Sequence, residues 1–276
     1  MSPRSFIDCT FCGDKGVQRG QEDVLPLWLA KKLAYTAEQL HPGTKPSYVN
    51  YGYKNLADFQ ADKPSRETPS GAIPAAYKLP DVCRSCNGGW MSRLEQAAQL
   101  LIPGLMVGKQ KLLAPYDQLV LATWMVKTCL TYDASRKPRS IPEAIGSRRF
   151  FILACPLPVT HVVIGHDADY TPEGAFVHGR LRLEGSDFFP RDMEAVMIGF
   201  QFDHLIIQAC INFTEEIPED GTTTEGMAVP ADPQHYERIW PIRDRFLWPS
   251  DLALQGPRQA EPGRRDTATK AGHIRS

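Results

Sequence analysis

Val82–Glu95 reads VCRSCNGGWMSRLE. It holds a Cys-x-x-Cys pair, an Asn, two glycines and the start of a helical pattern. A second pair, Cys9-Thr-Phe-Cys12-Gly13, lies near the N-terminus. Each pair can set two thiolates on one edge of a tetrahedron, so Cys9, Cys12, Cys83 and Cys86 together satisfy a four-coordinate zinc site. The residue after each second Cys is Gly or Asn-Gly. These tolerate positive φ and let backbone N–H groups turn toward the sulfurs. A redox dithiol is the alternative, but it needs one pair and a βαβ context rather than two. Seventy residues, 13–82, separate the pairs. That is long for a compact zinc ribbon, so a substantial structure is expected between the two knuckles.

The remaining cysteines, Cys129, Cys155 and Cys210, stand singly in apolar runs and read as small buried hydrophobes. The start of the chain, MSPRSFIDCT, has no apolar core of the signal-peptide kind, and the expected setting is cytoplasmic. There, thiols stay reduced and paired cysteines favour metal over disulfides. The 276 residues, 42% hydrophobic, suffice for one large domain or two ordinary ones. A net charge of −1 advertises no large nucleic-acid-wrapping surface, though it leaves room for a small local one. No apolar run approaches a membrane span. The 23 prolines gather between knuckles and strands and predict a loop-rich architecture. There is no Walker loop, G-x-S-x-G or dinucleotide fingerprint, which argues against a nucleotide-driven motor, an α/β-hydrolase and a common dehydrogenase.

Outward from the knuckles, Gly13, Gly16 and Gly20 mark the turns of a short hairpin within residues 1–22. Val24 to Leu40 reads as a helix with Pro26 near its first turn. Residues 41–80 read as an excursion with one or two short strands. Tyr48, Tyr51, Tyr53 and Lys54 could form an aromatic-basic surface for nucleic acid, although strand packing is the better reading. Trp90, Leu94, Ala98 and Leu101 recur at helical spacing up to Pro103-Gly104. Asp117–Tyr132 is apolar almost all round and predicts a buried helix. Arg136, Lys137, Arg139, Arg148 and Arg149 make a basic stretch, most simply solvated charge. From Phe150 the texture is strand-like: FFILAC, THVVIG, AFVHGRLRL, AVMIGFQF and HLIIQACINF. Two Trp-Pro elements, Trp240-Pro241 and Trp248-Pro249, read as a closing segment. Residues 255–276 carry almost no large apolar side chains and read as a disordered tail.

The ordered blocks CTFCG, QEDVLPLWL and VCRSCNGGWMSRLE resemble the zinc-knuckle branch of the HNH endonuclease family, with its ββα-metal fold. The likeness covers roughly residues 6–101. It implies an α+β protein: an N-terminal HNH-like module at 1–104, then a helix and a mainly antiparallel sheet at 105–254. It also implies metal-dependent hydrolysis of DNA phosphodiester bonds in a bacterium or phage. In such enzymes an acidic residue and a residue on the post-knuckle helix bind a divalent metal, and a His beside the acid is the general base. Glu22 falls at the acidic position and Asn87 at the helix position, but Asp23 stands where the His belongs.

An imidazole titrates near neutrality and suits proton removal. An Asp has a reference pKa near 3.9 and is a weaker base by about 2.6 units. Asp23 could act if burial raised its pKa, or it could join Glu22 in holding Mg2+ or Mn2+ through oxygen. Three readings follow: an active nuclease with an altered base, an inactive HNH-like protein that binds DNA or a protein partner, and a structural zinc module that presents the β region. Enzyme status is therefore open at this stage, with the nuclease leading. Arg93 could meet phosphate or be an ordinary exposed Arg. Glu95 more simply supports the helix or pairs with an Arg. Trp28 and Trp90 read as core anchors. His161, His166, His178 and His204 follow no ligand spacing and read as core or surface residues.

Overall fold

The computed structural model describes residues 6–40, 47–53, 66–70, 78–136, 139–156, 160–167, 173–183, 193–212 and 236–249. Lys54 and the tail expected at 255–276 lie outside them. The fold is α+β, with helices and a mainly antiparallel sheet.

The N-terminal part is a set of short pieces. β1 (Phe6–Ile7) and β2 (Val17–Gln18) form the expected hairpin around the first knuckle. β3 (Glu22–Asp23) pairs antiparallel with β6 (Lys78–Leu79). α1 spans Leu27–Leu40, directly after Pro26. The second knuckle opens a continuous helical run: α2 (Arg84–Cys86), a π-helical turn (Asn87–Met91) and α3 (Ser92–Gln99). Gly89, at φ −96° and ψ −108°, kinks that turn. Pro103-Gly104, expected to end the helix, instead lies inside a separate short helix, α4 (Ile102–Met106), where proline fits the first turn.

The central helix α5 (Pro115–Ser135) is buried on nearly every side. Its hydroxyls are satisfied within the helix: Thr123, Thr128 and Thr131 each donate to the carbonyl four residues back, at 2.6, 2.9 and 2.8 Å. The helix packs on a seven-stranded sheet of order β12-β8-β11-β10-β9-β4-β5. These strands are β4 (Ser47–Tyr53), β5 (Arg66–Ser70), β8 (Thr160–His166), β9 (Glu173–Leu183), β10 (Met193–Phe202), β11 (Leu205–Asn212) and β12 (Tyr236–Trp240). All neighbours pair antiparallel except β4 and β9, which run parallel. The excursion between the knuckles thus extends the C-terminal sheet. β13 (Phe246–Trp248) pairs with β7 (Lys111–Leu113) and buries Trp248.

One expected strand is a helix. FFILAC contributes α6 (Arg149–Leu153), which continues a π-helical turn at Ala144–Arg148 and ends at Ala154 in the left-handed region, φ 52°. Short apolar runs do not separate helix from strand by periodicity alone. Phe150 is buried beside Trp90 at 5.8 Å between ring centroids, while Phe151, Ile152 and Leu153 are exposed. Cys129 and Cys210 are buried as expected, whereas Cys155 is only half-buried.

The core is continuous across residue 104: Cys9, Phe11, Leu29 and Met91 belong to the same cluster as Trp124, Ile164 and Ile207. Gln118 fastens the 241–245 segment to the start of α5. Its Nε2 donates to the carbonyls of Arg243 and Asp244, both at 3.1 Å, and its Oε1 accepts from the Arg243 N–H at 3.1 Å. Among the described residues no helix is long and apolar enough to cross a membrane.

Candidate metal centre

The two knuckles meet. Thr10 N–H donates to the Asp81 carbonyl at 2.8 Å and Gly20 N–H to the Val82 carbonyl at 2.6 Å. The Gly20 contact demands glycine, because a β-carbon there would lie 3.0 Å from the carbonyl oxygens of both Val82 and Cys83. This docking brings the sulfurs of Cys9, Cys12, Cys83 and Cys86 within 4.8 Å of one another, close enough to hold a metal ion. The Cys9–Cys86 and Cys12–Cys83 Sγ distances are 3.9 and 3.8 Å. Metal–sulfur bonds of about 2.3 Å in a tetrahedron give an edge of about 3.8 Å, which these two pairs match.

Gly13 takes the expected positive φ, +83°, but Asn87 is helical at φ −60°. Their N–H groups donate to the carbonyls of Cys9 and Cys83, and the amides that face sulfur belong to the second knuckle's own cysteines. Cys86 N–H donates to Cys83 Sγ at 3.3 Å and Cys83 N–H to Cys9 Sγ at 3.4 Å. The hydrogen bond with Cys86 holds the Cys9 thiol down at about 4, and the same bond pushes Cys86 up. Burial pushes Cys12 up to about 12. A bound cation would displace the shared protons and equalise the four. Phe11, between Cys9 and Cys12, is buried and packs edge-on against Trp90, 5.6 Å between centroids.

The same closure decides the surroundings of the acidic pair. Asn87, first residue of the π-helical turn, donates from Nδ2 to the carbonyl of Gln21, the residue before β3. The post-knuckle helix therefore abuts the strand that carries Glu22 and Asp23. Asp23 faces its cross-strand partner Lys78 at 3.4 Å and is part-exposed. Glu22 points inward. Its Oε1 lies 2.7 Å from the Nζ of Lys127, which also lies 2.8 Å from Oε1 of Glu95. Lys127 is fully buried. Burial opposes its charge, but Glu22 and Glu95 outweigh that and hold its pKa above the ordinary lysine value. Burial pushes the Glu22 carboxyl above its usual range, against the pull of Lys127.

Lys127 is the site residue that motif reading missed. It sits inside WMVKTCLTY, where apolar neighbours hide it. The available signal was its isolation, since a lysine in a buried helix requires carboxylate partners. Arg93 is exposed on α3, as is Arg84 on α2. His166 and His204 stack with ring centroids 5.4 Å apart, far along the chain from the knuckles. No protein-family profile, curated protein or solved structure matches this chain.

Proposed function

We propose that this chain is an HNH-like zinc protein that binds DNA without cutting it. Zinc is the ion best suited to four thiolates at tetrahedral spacing, and its role there is structural. It holds the first knuckle, β3 and the post-knuckle helix in register. The HNH-like part rests on the order and content of the three motif blocks. Support for a non-cleaving role comes from one observation: the Nζ of Lys127 stands 2.7 and 2.8 Å from Glu22 and Glu95. The acid that would ligate a divalent ion is already neutralised by an internal cation. DNA is the proposed partner because Arg84 and Arg93 stand exposed along the knuckle helices beside Asn87, and guanidinium groups suit phosphate oxygens.

A second reading, hydrolysis with Mg2+ or Mn2+ and an altered general base, draws on Asp23. Its carboxylate is part-exposed and lies on the strand that Asn87 abuts. One experiment separates the two. Purified protein is incubated with supercoiled plasmid and Mg2+ or Mn2+, and run in parallel in a gel-shift assay at low salt, where phosphate attraction is strongest. The expected result is binding without nicking, weakened by the Arg84→Ala/Arg93→Ala double variant. Nicking that Asp23→Asn abolishes would establish the hydrolytic reading. Absence of binding at low salt would leave only the structural zinc module.

A further inference from the structure

We infer that Arg148 is an electrostatic latch on the thiolate centre, through which the C-terminal region governs retention of the metal. The inference rests on the four sulfurs holding zinc as proposed above. A zinc tetrathiolate carries a net charge of about −2, and a cation beside it stabilises that charge while the ion is bound. Arg148 comes from the π-helical turn at Ala144–Arg148, remote in sequence from both knuckles. Its guanidinium packs against Gly13 of the first knuckle, Nη1 foremost. A β-carbon on Gly13 would fall 1.5 Å from Nη1 and 2.4 Å from Cζ of Arg148. Gly13 directly follows the ligand Cys12, and it adopts φ +83°. The positive φ favours glycine, and the far end of Arg148 fills the space a side chain would take.

The arginine is held from behind. Glu143 accepts from Nε and Nη2 of Arg148, at 3.1 and 3.0 Å, and from Nη1 of Arg139 at 2.8 Å. Arg139 in turn reaches Thr10 Oγ1, inside the first knuckle, at 3.5 Å. One carboxylate therefore orients two guanidinium groups over a single Cys-x-x-Cys loop. The net charge of this cluster is +1, beside a centre of opposite sign. The basic stretch is in this part an outer layer of the metal site and not a solvated run.

The test measures zinc transfer from the full-length, metal-loaded protein to a chromogenic chelator, with Arg148→Gln, Arg148→Lys and Glu143→Gln beside the wild type. Arg148 is part-exposed, so solvent screens its charge, and the expected effect of Arg148→Gln is about tenfold faster release. Arg148→Lys should keep most of the retention because it keeps the charge. Raising salt from about 50 mM to about 500 mM should speed release from the wild type and leave Arg148→Gln nearly unchanged. Glu143→Gln, which frees the arginine without removing it, should fall between. Equal release from Arg148→Gln and wild type, or from the Gln and Lys variants, overturns the latch. Should Arg148→Gln fail to fold, a salt-independent release rate in the wild type overturns it equally. A preparation that never holds zinc refutes the metal assignment itself, which is a distinct failure.

Discussion

Lys127→Met removes the one cation between two carboxylates and keeps the volume of the side chain. In the native fold the lysine side chain is 0% exposed, Glu22 7% and Glu95 22%. Glu95 can turn toward water, but Glu22 cannot. The variant therefore strands a buried carboxylate, and breaking a buried pair in this way costs about 3–5 kcal/mol. For a chain of this size that lowers Tm by roughly 6–20 °C. The pH dependence gives the sharper signature. Glu22 already titrates above its usual range because of burial, and loss of Lys127 raises it further. An acid whose folded pKa exceeds its unfolded value contributes stability below the unfolded value, and that contribution is lost as pH rises toward the folded one. The variant should accordingly be near native stability at about pH 4 and lose ground steadily above about pH 4.5. Lys127→Met combined with Glu22→Gln removes both charges and should recover much of the loss. Thermal unfolding followed by circular dichroism across pH reads all three proteins. A Tm drop under about 2 °C that is flat with pH would refute a closed, buried triad.

Metal analysis of the purified protein should find about one zinc per chain, and Cys83→Ser should lose it together with the cooperative unfolding transition. Acidification should release the metal as protons compete for the sulfurs, which a chelator-coupled absorbance assay follows directly. Gln118→Ala leaves the Arg243 N–H without its side-chain acceptor and the Arg243 and Asp244 carbonyls without their shared donor. It should destabilise by about 1–3 kcal/mol in thermal unfolding while leaving zinc content unchanged.

What the sequence determined by itself is what local chemistry can specify. The Cys-x-x-Cys spacing with Gly13 and Asn87 behind it defines two knuckles, and two knuckles of two sulfurs make one tetrahedral set. Apolar residues almost all round Asp117–Tyr132 pointed to a helix enclosed by other elements. β-branched runs with turn residues between them predicted β8 to β11. Three things were decided only by the tertiary structure. Arg149–Leu153 became helix because it continues a helical turn and seats Phe150 against Trp90, a choice that a five-residue pattern does not encode. β4 and β5 joined the C-terminal sheet because strand partners are chosen by long-range packing, to which periodicity is blind. Above all, Glu22 met Lys127, 105 residues away. The motif gave Glu22 its chemical type but not its partner. A carboxylate's role is set by which charge reaches it once water is excluded, and here the core supplies an ammonium group.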